Sequence, residues 1–357
     1  MQQGDSRDAQ ASPAAGEVGR GRDAKGEGRV AWIDALKGIL IILVAAGHLF
    51  IPACDSFDVV ERSFDVIYLF HMPAFVFVSG FLAKHTLDEQ GRLRAGRIVT
   101  YLVVGIVFNV ALRWFEGEHL TPSRMLTFSS APWYLVSMAW WMLLVPLFDR
   151  LRPSWGVAIS CAVSVGAALM SNQTNFLSLS RTAHFLPYFM VGYYLSLGQL
   201  QRLRRPRPRV ALACAGALAL FVYLGFEPIF KPAIGFVFGS ADNVLPLSRA
   251  LPSYLAITTL GVALALGCIA LAPSRCRPLE TLGRRTFQVY VLHRFARSAL
   301  VMLGVYDALL PLGPNAVLVC LVALSLLVCL GASWGGFTRV ATWVLGLRWR
   351  FLLRDDD

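Results

Sequence analysis

Three ionisable residues, Asp34, Lys37 and His48, lie within one apolar stretch of the sequence, WIDALKGILIILVAAGHLF at residues 32–50. On an ideal helix Lys37 and His48 are roughly 1100° apart, close to three whole turns, and Asp34 falls within roughly 40° of His48. The three side chains therefore share one stripe. An ionisable group in hydrocarbon costs about 2.5 kcal/mol or more, so we expect this stripe to face a bundle interior or a polar cavity.

Further ionisable residues occur in two other apolar stretches. His71 lies in YLFHMPAFVFVSGF (68–81), and His293 and Arg294 lie in RRTFQVYVLHRF (284–295). Counting residues from the end of each span predicts an outer pair of histidines, His48 with His71. The same count predicts an inner group in which His293 and Arg294 lie near the depth of Lys37. Such a column suits either a reaction that joins reactants from opposite faces of a membrane or a polar transport path.

Each of these residues also has a simpler interpretation. An intramembrane histidine can serve an interhelical hydrogen bond, Lys37 can extend to the headgroups, and Asp34 can pair with Lys37 three residues later. We expect no metal site, because His48 and His71 alone are too few ligands. Three other histidines fall in loops or at span ends, where we expect solvated or interfacial side chains: His85, His119 and His184.

The composition is that of an all-α, polytopic integral membrane protein. Of 357 residues, 56% are apolar and only 15% are charged, against about 25% charged in soluble domains. A spanning segment must satisfy its backbone internally, so the recurring apolar runs predict a helical bundle. We predict about ten transmembrane helices, at 31–51, 66–84, 97–115, 132–148, 154–171, 182–200, 210–226, 251–272, 286–304 and 315–335.

The distribution of Lys and Arg predicts the orientation. Alternate loops and tails split these residues 23 to 6, and the richer set includes both tails, which predicts that both termini are cytoplasmic. The net charge of +11 is therefore a topological signal rather than a sign of nucleic-acid binding. We divide the chain into a disordered N-terminal tail (1–29), a transmembrane domain (30–336) and a C-terminal tail (337–357), and expect a multi-pass protein of the inner (plasma) membrane.

Several of these stretches resemble the acyltransferase family 3 membrane enzymes. Asp34, Lys37, Gly38 and His48 match the D-x-x-R-G start and R-x10-H spacing of that family's first span, with lysine in place of the usual arginine. The stretch YLFHMPAFVFVSGFLAK resembles the second span of the sugar O-acetylase branch, which includes nodulation-factor fucose acetylases. Weaker similar blocks follow in the expected order at 132–146, 185–195 and 282–295. Many relatives append an SGNH hydrolase-like domain, and we expect this chain to be a stand-alone acyltransferase.

The resemblance implies an enzyme that transfers an acetyl or short acyl group from cytoplasmic acetyl-CoA to a hydroxyl of a sugar or surface glycan. His48 is the expected general base, because a neutral imidazole accepts a proton near pH 7, and His71 is expected to orient the acceptor or relay the proton. Lys37 would meet the thioester end of the donor. Acyl-CoA is a substrate here, and no permanently bound cofactor is implied.

The cytoplasmic end of the expected donor site is basic. The residues expected to contact the donor are Arg92, Arg94, Arg97, His293 and Arg294. The three arginines before the third span are equally explained by topology alone. From another functional class, a transporter or exporter of a glycan or small polar solute also fits ten spans with a polar column, and a non-catalytic accessory role is a third reading.

Overall fold

The computed structural model describes residues 30–170, 175–239, 245–347 and 349. Within these residues the regular structure is helical, apart from two isolated bridges, Leu87 with Leu93 and Thr127 with Phe176. The proposed disordered tail at 1–29 lies outside the described residues. The α-helices are α1 (Ala31–Cys54), α2 (Asp58–Leu82), α3 (Ala95–Phe115), α4 (Pro122–Met125), α5 (Trp133–Asp149), α6 (Pro153–Leu169), α7 (Leu179–Tyr194), α8 (Leu197–Leu203), α9 (Pro206–Gly225), α10 (Glu227–Phe230), α11 (Leu247–Leu271), α12 (Arg277–Arg284), α13 (Thr286–Met302), α14 (Val305–Leu309), α15 (Pro314–Ala332) and α16 (Gly335–Leu345).

A helix lies at each of the ten predicted spans, but these helices differ in length. In the described residues six are long and apolar enough to cross a membrane alone, namely α1, α2 with the 3₁₀ turn that follows it, α3, α9, α11 and α15. A seventh candidate is α13 with the segment after it, bent by 67°. Helices α5 and α6 are apolar but shorter. These features are those of a multi-pass helical membrane protein, while the figure of ten spans stays a prediction.

Two predicted boundaries were wrong. Helix α2 begins at Asp58 rather than at 66, because the charged residues of its first turns have partners: the ammonium of Lys231 lies 2.7 Å from both Glu61 and Asp65. The predicted span 182–200 is two helices, α7 and α8. Ser196 separates them, since its side chain accepts from the N–H of Gln199 and starts a new helix with a capping box.

Helix α1 is central and packs against α2, α12, α13 and α15. We call the end of the bundle that holds Asp34 the inner end, and the end that holds His48 the outer end. At the inner end α12 lies against α1 with backbone in contact with backbone. A Cβ on Gly38 would overlap the carbonyl of Leu279, and one on Gly283 would overlap the carbonyl of Asp34. Only glycine permits this approach, which fixes the level at which α13 begins.

Candidate active site

A cavity of about 220 Å³ lies near the outer end, between α1, α2, α7 and α13. His48 comes from α1 and His71 from α2, both on the faces that turn away from lipid. Arg181 of α7 and two arginines of α13, Arg294 and Arg297, complete its polar lining. Two apolar side chains from the segment between α9 and α11, Val237 and Phe238, also line this cavity.

The histidine rings are held so that ring nitrogens remain available. The ring centroids of His48 and His293 are 5.1 Å apart. Nδ1 of His71 lies 2.7 Å from the carbonyl of Ile67, and Nδ1 of His293 lies 3.1 Å from that of Val289. A carbonyl can only accept, so both Nδ1 atoms donate and both Nε2 atoms are acceptors in the neutral ring. Among the described residues, Nδ1 of His48 and Nε2 of His293 are buried without a hydrogen-bond partner.

One carboxylate organises the cationic wall of this cavity. Glu116 accepts from Arg294 at 3.2 Å and from the hydroxyl of Ser298 at 2.5 Å, and the guanidinium of Arg297 lies 3.9 Å away. Arg294 also donates from Nε to Ser130 at 3.0 Å. Its side chain is only 5% exposed, so these charge-assisted bonds hold the guanidinium in one orientation beside the histidines.

Arg181 forms the opposite wall. Its guanidinium donates to the carbonyls of Phe128 and Ser129 at 3.4 and 3.3 Å and lies 5.5 Å from the ring centre of Trp133. These contacts tie α7 to the segment before α5. In the sequence, Arg181 is one of the six Lys and Arg residues in the loops that carry fewer positive charges. Its local sequence pattern does not identify it as a site residue.

A second cavity, of about 200 Å³, lies toward the inner end. Lys37 lines it, and its ammonium pairs with the buried carboxylate of Asp34 at 2.8 Å. Arg97, near the start of α3, is exposed at the same cavity. Ser79 and Tyr134 line it and share a hydrogen bond of 2.6 Å. The other lining residues include aliphatic side chains and several aromatic and thioether ones, among them Phe75, Tyr101, Met138, Met142 and Tyr290.

Two residues of α13 separate the outer cavity from the inner one. Tyr290 lines the inner cavity, and its hydroxyl donates to the carbonyl of Ala131, which lines the outer cavity. His293 is fully buried, with its ring centroid 6.0 Å from that of Tyr290 and 5.1 Å from that of His48. The two cavities therefore meet at a thin partition formed by Tyr290 and His293.

The predicted depth of His293 and Arg294 was wrong, because they lie beside His48 rather than near Lys37. The reason is the short helix α12. It occupies the inner end, where Gly283 lies against the backbone of Asp34 and Gly38, so α13 begins above the level of those residues. Seven further residues of helix add roughly 10 Å and bring His293 to the depth of the outer cavity.

Of the remaining predicted residues, one lines a substrate cavity and the others line neither of the two. Arg97 lines the inner cavity, whereas Arg94 is exposed and is not among the residues that line either cavity. Arg92 pairs with Asp88 at 2.8 Å, with a side chain 65% exposed.

The expectation for His184 was wrong: it is buried, and its ring packs against those of Phe185 and Tyr254. The other two histidines, His85 and His119, are exposed as expected.

A family model described as an acyltransferase domain matches residues 30–334, which is most of the chain. The chain belongs to the acyltransferase 3 family. It is 33% identical over 178 residues to nodulation protein NolL of Sinorhizobium fredii, a match that covers 45% of this chain and 47% of that protein. It is 32% identical over 120 residues to nodulation protein NolL of Mesorhizobium japonicum, which covers 32% of each chain. The chain thus spans half or less of these curated relatives. No solved structure gives a significant match.

Proposed function

We propose that this protein is an integral membrane O-acyltransferase that moves an acetyl or short acyl group from cytoplasmic acyl-CoA to a hydroxyl of a sugar or surface glycan. Family membership supports the reaction class. The observation that carries the proposal is the pair of cavities that approach each other from opposite ends and meet at His293 and Tyr290. This arrangement suits two substrates that arrive from opposite faces and react at one point.

The inner cavity is the proposed donor site. Acyl-CoA carries phosphates, and a cationic mouth attracts them. Arg97 is exposed at this mouth, and Lys37 lies deeper on the same wall. A pantetheine arm that enters past Arg97 would run along phenol and thioether side chains toward the partition. Lys37 then contributes positive charge along the path of the pantetheine arm, although without the bidentate hold that an arginine would offer.

The outer cavity is the proposed acceptor site, with His48 as general base. Its imidazole takes the proton of the acceptor hydroxyl as that oxygen attacks the thioester carbonyl carbon. The carbonyl π electrons move onto oxygen, and the guanidinium of Arg294 beside His48 stabilises the developing charge. The carbon–sulfur bond then breaks, and the proton on His48 is available to the departing thiolate. His71, whose Nε2 is an acceptor, orients the sugar hydroxyl.

We propose that the inner end is cytoplasmic, that ten helices cross an inner (plasma) membrane, and that both termini are cytoplasmic. The 23 to 6 division of Lys and Arg supports this orientation. Cysteines introduced at Ser123 and Gln201 in a variant without native cysteines test it, since both positions are exposed. A membrane-impermeant maleimide should label position 123 from outside and position 201 only after lysis. Labelling of both from one side would contradict the topology.

A transporter of a glycan or polar solute remains the alternative from another class. The partition favours group transfer over transport, because Tyr290, which donates to the carbonyl of Ala131, and the buried His293 occupy the space between the cavities. Two substrates can meet at such a point, whereas a transported solute has to pass through it. Proteoliposomes with radiolabelled acetyl-CoA on one side and a sugar acceptor on the other separate the two functions. The enzyme releases CoA and yields base-labile acetate on the acceptor. A transporter moves solute without consuming the thioester.

A further inference from the structure

An apolar cavity lies outside both proposed substrate sites. It is a groove of about 440 Å³ between α2, α6, α7 and α11, and no residue that lines it lines either substrate cavity. Its walls are aliphatic and aromatic. Two of the hydroxyl groups at its surface are bonded within the protein: Ser164 donates to the carbonyl of His184 at 2.6 Å and shares a hydrogen bond of 2.8 Å with Tyr254. The groove is therefore mainly apolar and poorly suited to a sugar.

The groove opens between spanning helices toward lipid. Exposed side chains on its walls include Cys161 of α6 and Leu255 and Val262 of α11. It extends from the middle of the bundle to the inner end, where its last residues are Leu195, Leu203 and Ile269. In a membrane the solvent at this depth is hydrocarbon, so the occupant of such a groove is an alkyl chain.

Basic side chains surround the inner end of the groove. Lys84 donates to the carbonyl of Leu195. Arg204 donates to the carbonyls of Ile269 and Ala272 at 2.6 and 2.7 Å, and its guanidinium stacks 4.3 Å from the ring centre of Trp32. Cations therefore contact the backbone of the same residues that close the groove.

The surrounding sequence adds more positive charge. Arg202 and Arg205 are exposed next to Leu203, and Arg209 donates to the carbonyl of Ala270 at 2.8 Å. Residues 195–226 and 250–279 contain no Asp or Glu. Topology alone explains arginines in a cytoplasmic loop, but it does not require them to gather at the end of an apolar groove.

We propose that this groove binds an anionic phospholipid of the inner leaflet, with one acyl chain between α2, α6, α7 and α11 and the phosphate among the basic residues. Basic pockets between spanning helices on the cytoplasmic side are suited to anionic headgroups, and each nearby cation contributes about 1 kcal/mol, or about fivefold in affinity. The proposal rests on the orientation given above and not on the acyl-transfer activity.

The test measures lipid binding to the purified full-length protein. Delipidated protein receives phosphatidylglycerol or phosphatidylcholine with identical chains, and retained lipid is counted by native mass spectrometry alongside the thermal unfolding midpoint. Phosphatidylglycerol should be retained at least fivefold more and should raise the midpoint. Equal retention of both lipids would overturn the proposal. Soluble glycerol 1-phosphate should have no effect, and an equal rise with it would mean a phosphate site without an acyl chain.

Two sets of variants divide the site into its parts. Val262→Trp or, separately, Thr258→Trp fills the groove, and each should lose retained lipid of both kinds while its lipid-free midpoint stays near wild type. Arg202→Gln with Arg205→Gln should keep chain binding and lose the preference for phosphatidylglycerol, by about fivefold per arginine. The control is Arg284→Gln with Arg339→Gln, on α12 and α16, which pack on other helices. If the groove-filling variants kept the preference, the lipid would bind elsewhere.

Discussion

The outer and inner cavities are almost equal in size, and they differ in which side chains line them. The outer cavity gathers two histidines and three arginines from four helices. The inner cavity has one lysine and one arginine among phenols, thioethers and aliphatic groups. Imidazole and guanidinium groups thus concentrate in one cavity, while the other resembles a channel for a flexible, largely uncharged chain.

The outer cavity is therefore suited to the chemical step, and the inner cavity to donor binding. General base catalysis needs well-positioned groups around the base, and the neighbours of His48 are held in place: backbone carbonyls hold the rings of His71 and His293, and Glu116 holds Arg294. Binding of a pantetheine arm needs length and apolar contact rather than precise angles, which the inner cavity supplies. The comparison predicts that substitutions in the outer cavity lower kcat, whereas substitutions in the inner cavity raise the KM for acyl-CoA.

The largest effect is expected at His48. His48→Gln should lower kcat by about a hundredfold to ten-thousandfold, because an amide can hydrogen-bond but cannot accept the hydroxyl proton. Expression and thermal stability should stay near wild type. His119→Gln, at an exposed histidine, is the matched control and should keep full activity. Substantial turnover by well-folded His48→Gln would show that the chemical step does not take place in the outer cavity.

The next effect is expected at Glu116. Glu116→Gln keeps the shape of the side chain but removes the charge that orients Arg294 and balances Arg297. We expect kcat to fall by about tenfold and the free energy of unfolding to fall by about 1–3 kcal/mol, the cost of leaving a buried charged group less well paired. Both are measured on the same purified protein. A loss of stability with unchanged kcat per folded molecule would make this wall structural only.

A smaller effect should separate two arginines that the sequence treats alike. Arg97→Glu should raise the KM for acetyl-CoA by about fivefold and leave the acceptor KM unchanged, since one rim charge changes steering and local affinity modestly. Arg94→Glu should change the same KM by less than about twofold, because Arg94 is not among the residues that line the inner cavity. Equal effects would mean that general positive potential, rather than a defined mouth, attracts the donor.

The parts of this site that sequence could predict are those within one helix. Lys37 and His48 share a stripe because the helical period places them there, and the structure puts each on a cavity wall. Arg297 follows Arg294 by three residues, a spacing that already places both on one face. By contrast, Glu116 lies in a loop, and its role depends on a contact 178 residues away in sequence.

The error in the predicted depth of His293 and Arg294 also comes from a contact between residues that are far apart in sequence. The ten longer helices were predictable from apolar runs, but α12 is an amphipathic helix of eight residues without such a run. Its contact with α1 places the start of α13 farther from the inner end, and His293 with it. The depth of a residue in the membrane can therefore be predicted by counting from the end of its span only when no short helix precedes that span.

The smallest effect is expected where the loop before α3 supports the inner cavity from outside. Asp88 accepts from the backbone N–H groups of Arg92 and Gln90 at 2.8 and 2.9 Å and from the guanidinium of Arg92. The backbone hydrogen bond from Arg92 is the largest of the contacts that hold the pKa of this carboxyl below its usual range. A lowered pKa means that the stabilisation is complete above the unfolded value, near pH 4, and is lost only as pH falls through the lower folded value.

The loop should therefore resist limited proteolysis equally well between about pH 5 and 8, a range in which Asp88 stays ionised. Asp88→Asn removes the charge at every pH, so cleavage within 87–93 should become faster at pH 7. The KM for acetyl-CoA should rise by less than about twofold, because Arg97 is held by α3 itself and only its approach is loosened. Arg92→Lys is the matched control, since it keeps both backbone hydrogen bonds. A large rise in KM for Asp88→Asn would show that the loop, rather than α3, positions the donor mouth, and the inner cavity would then be as dependent on precise geometry as the outer one.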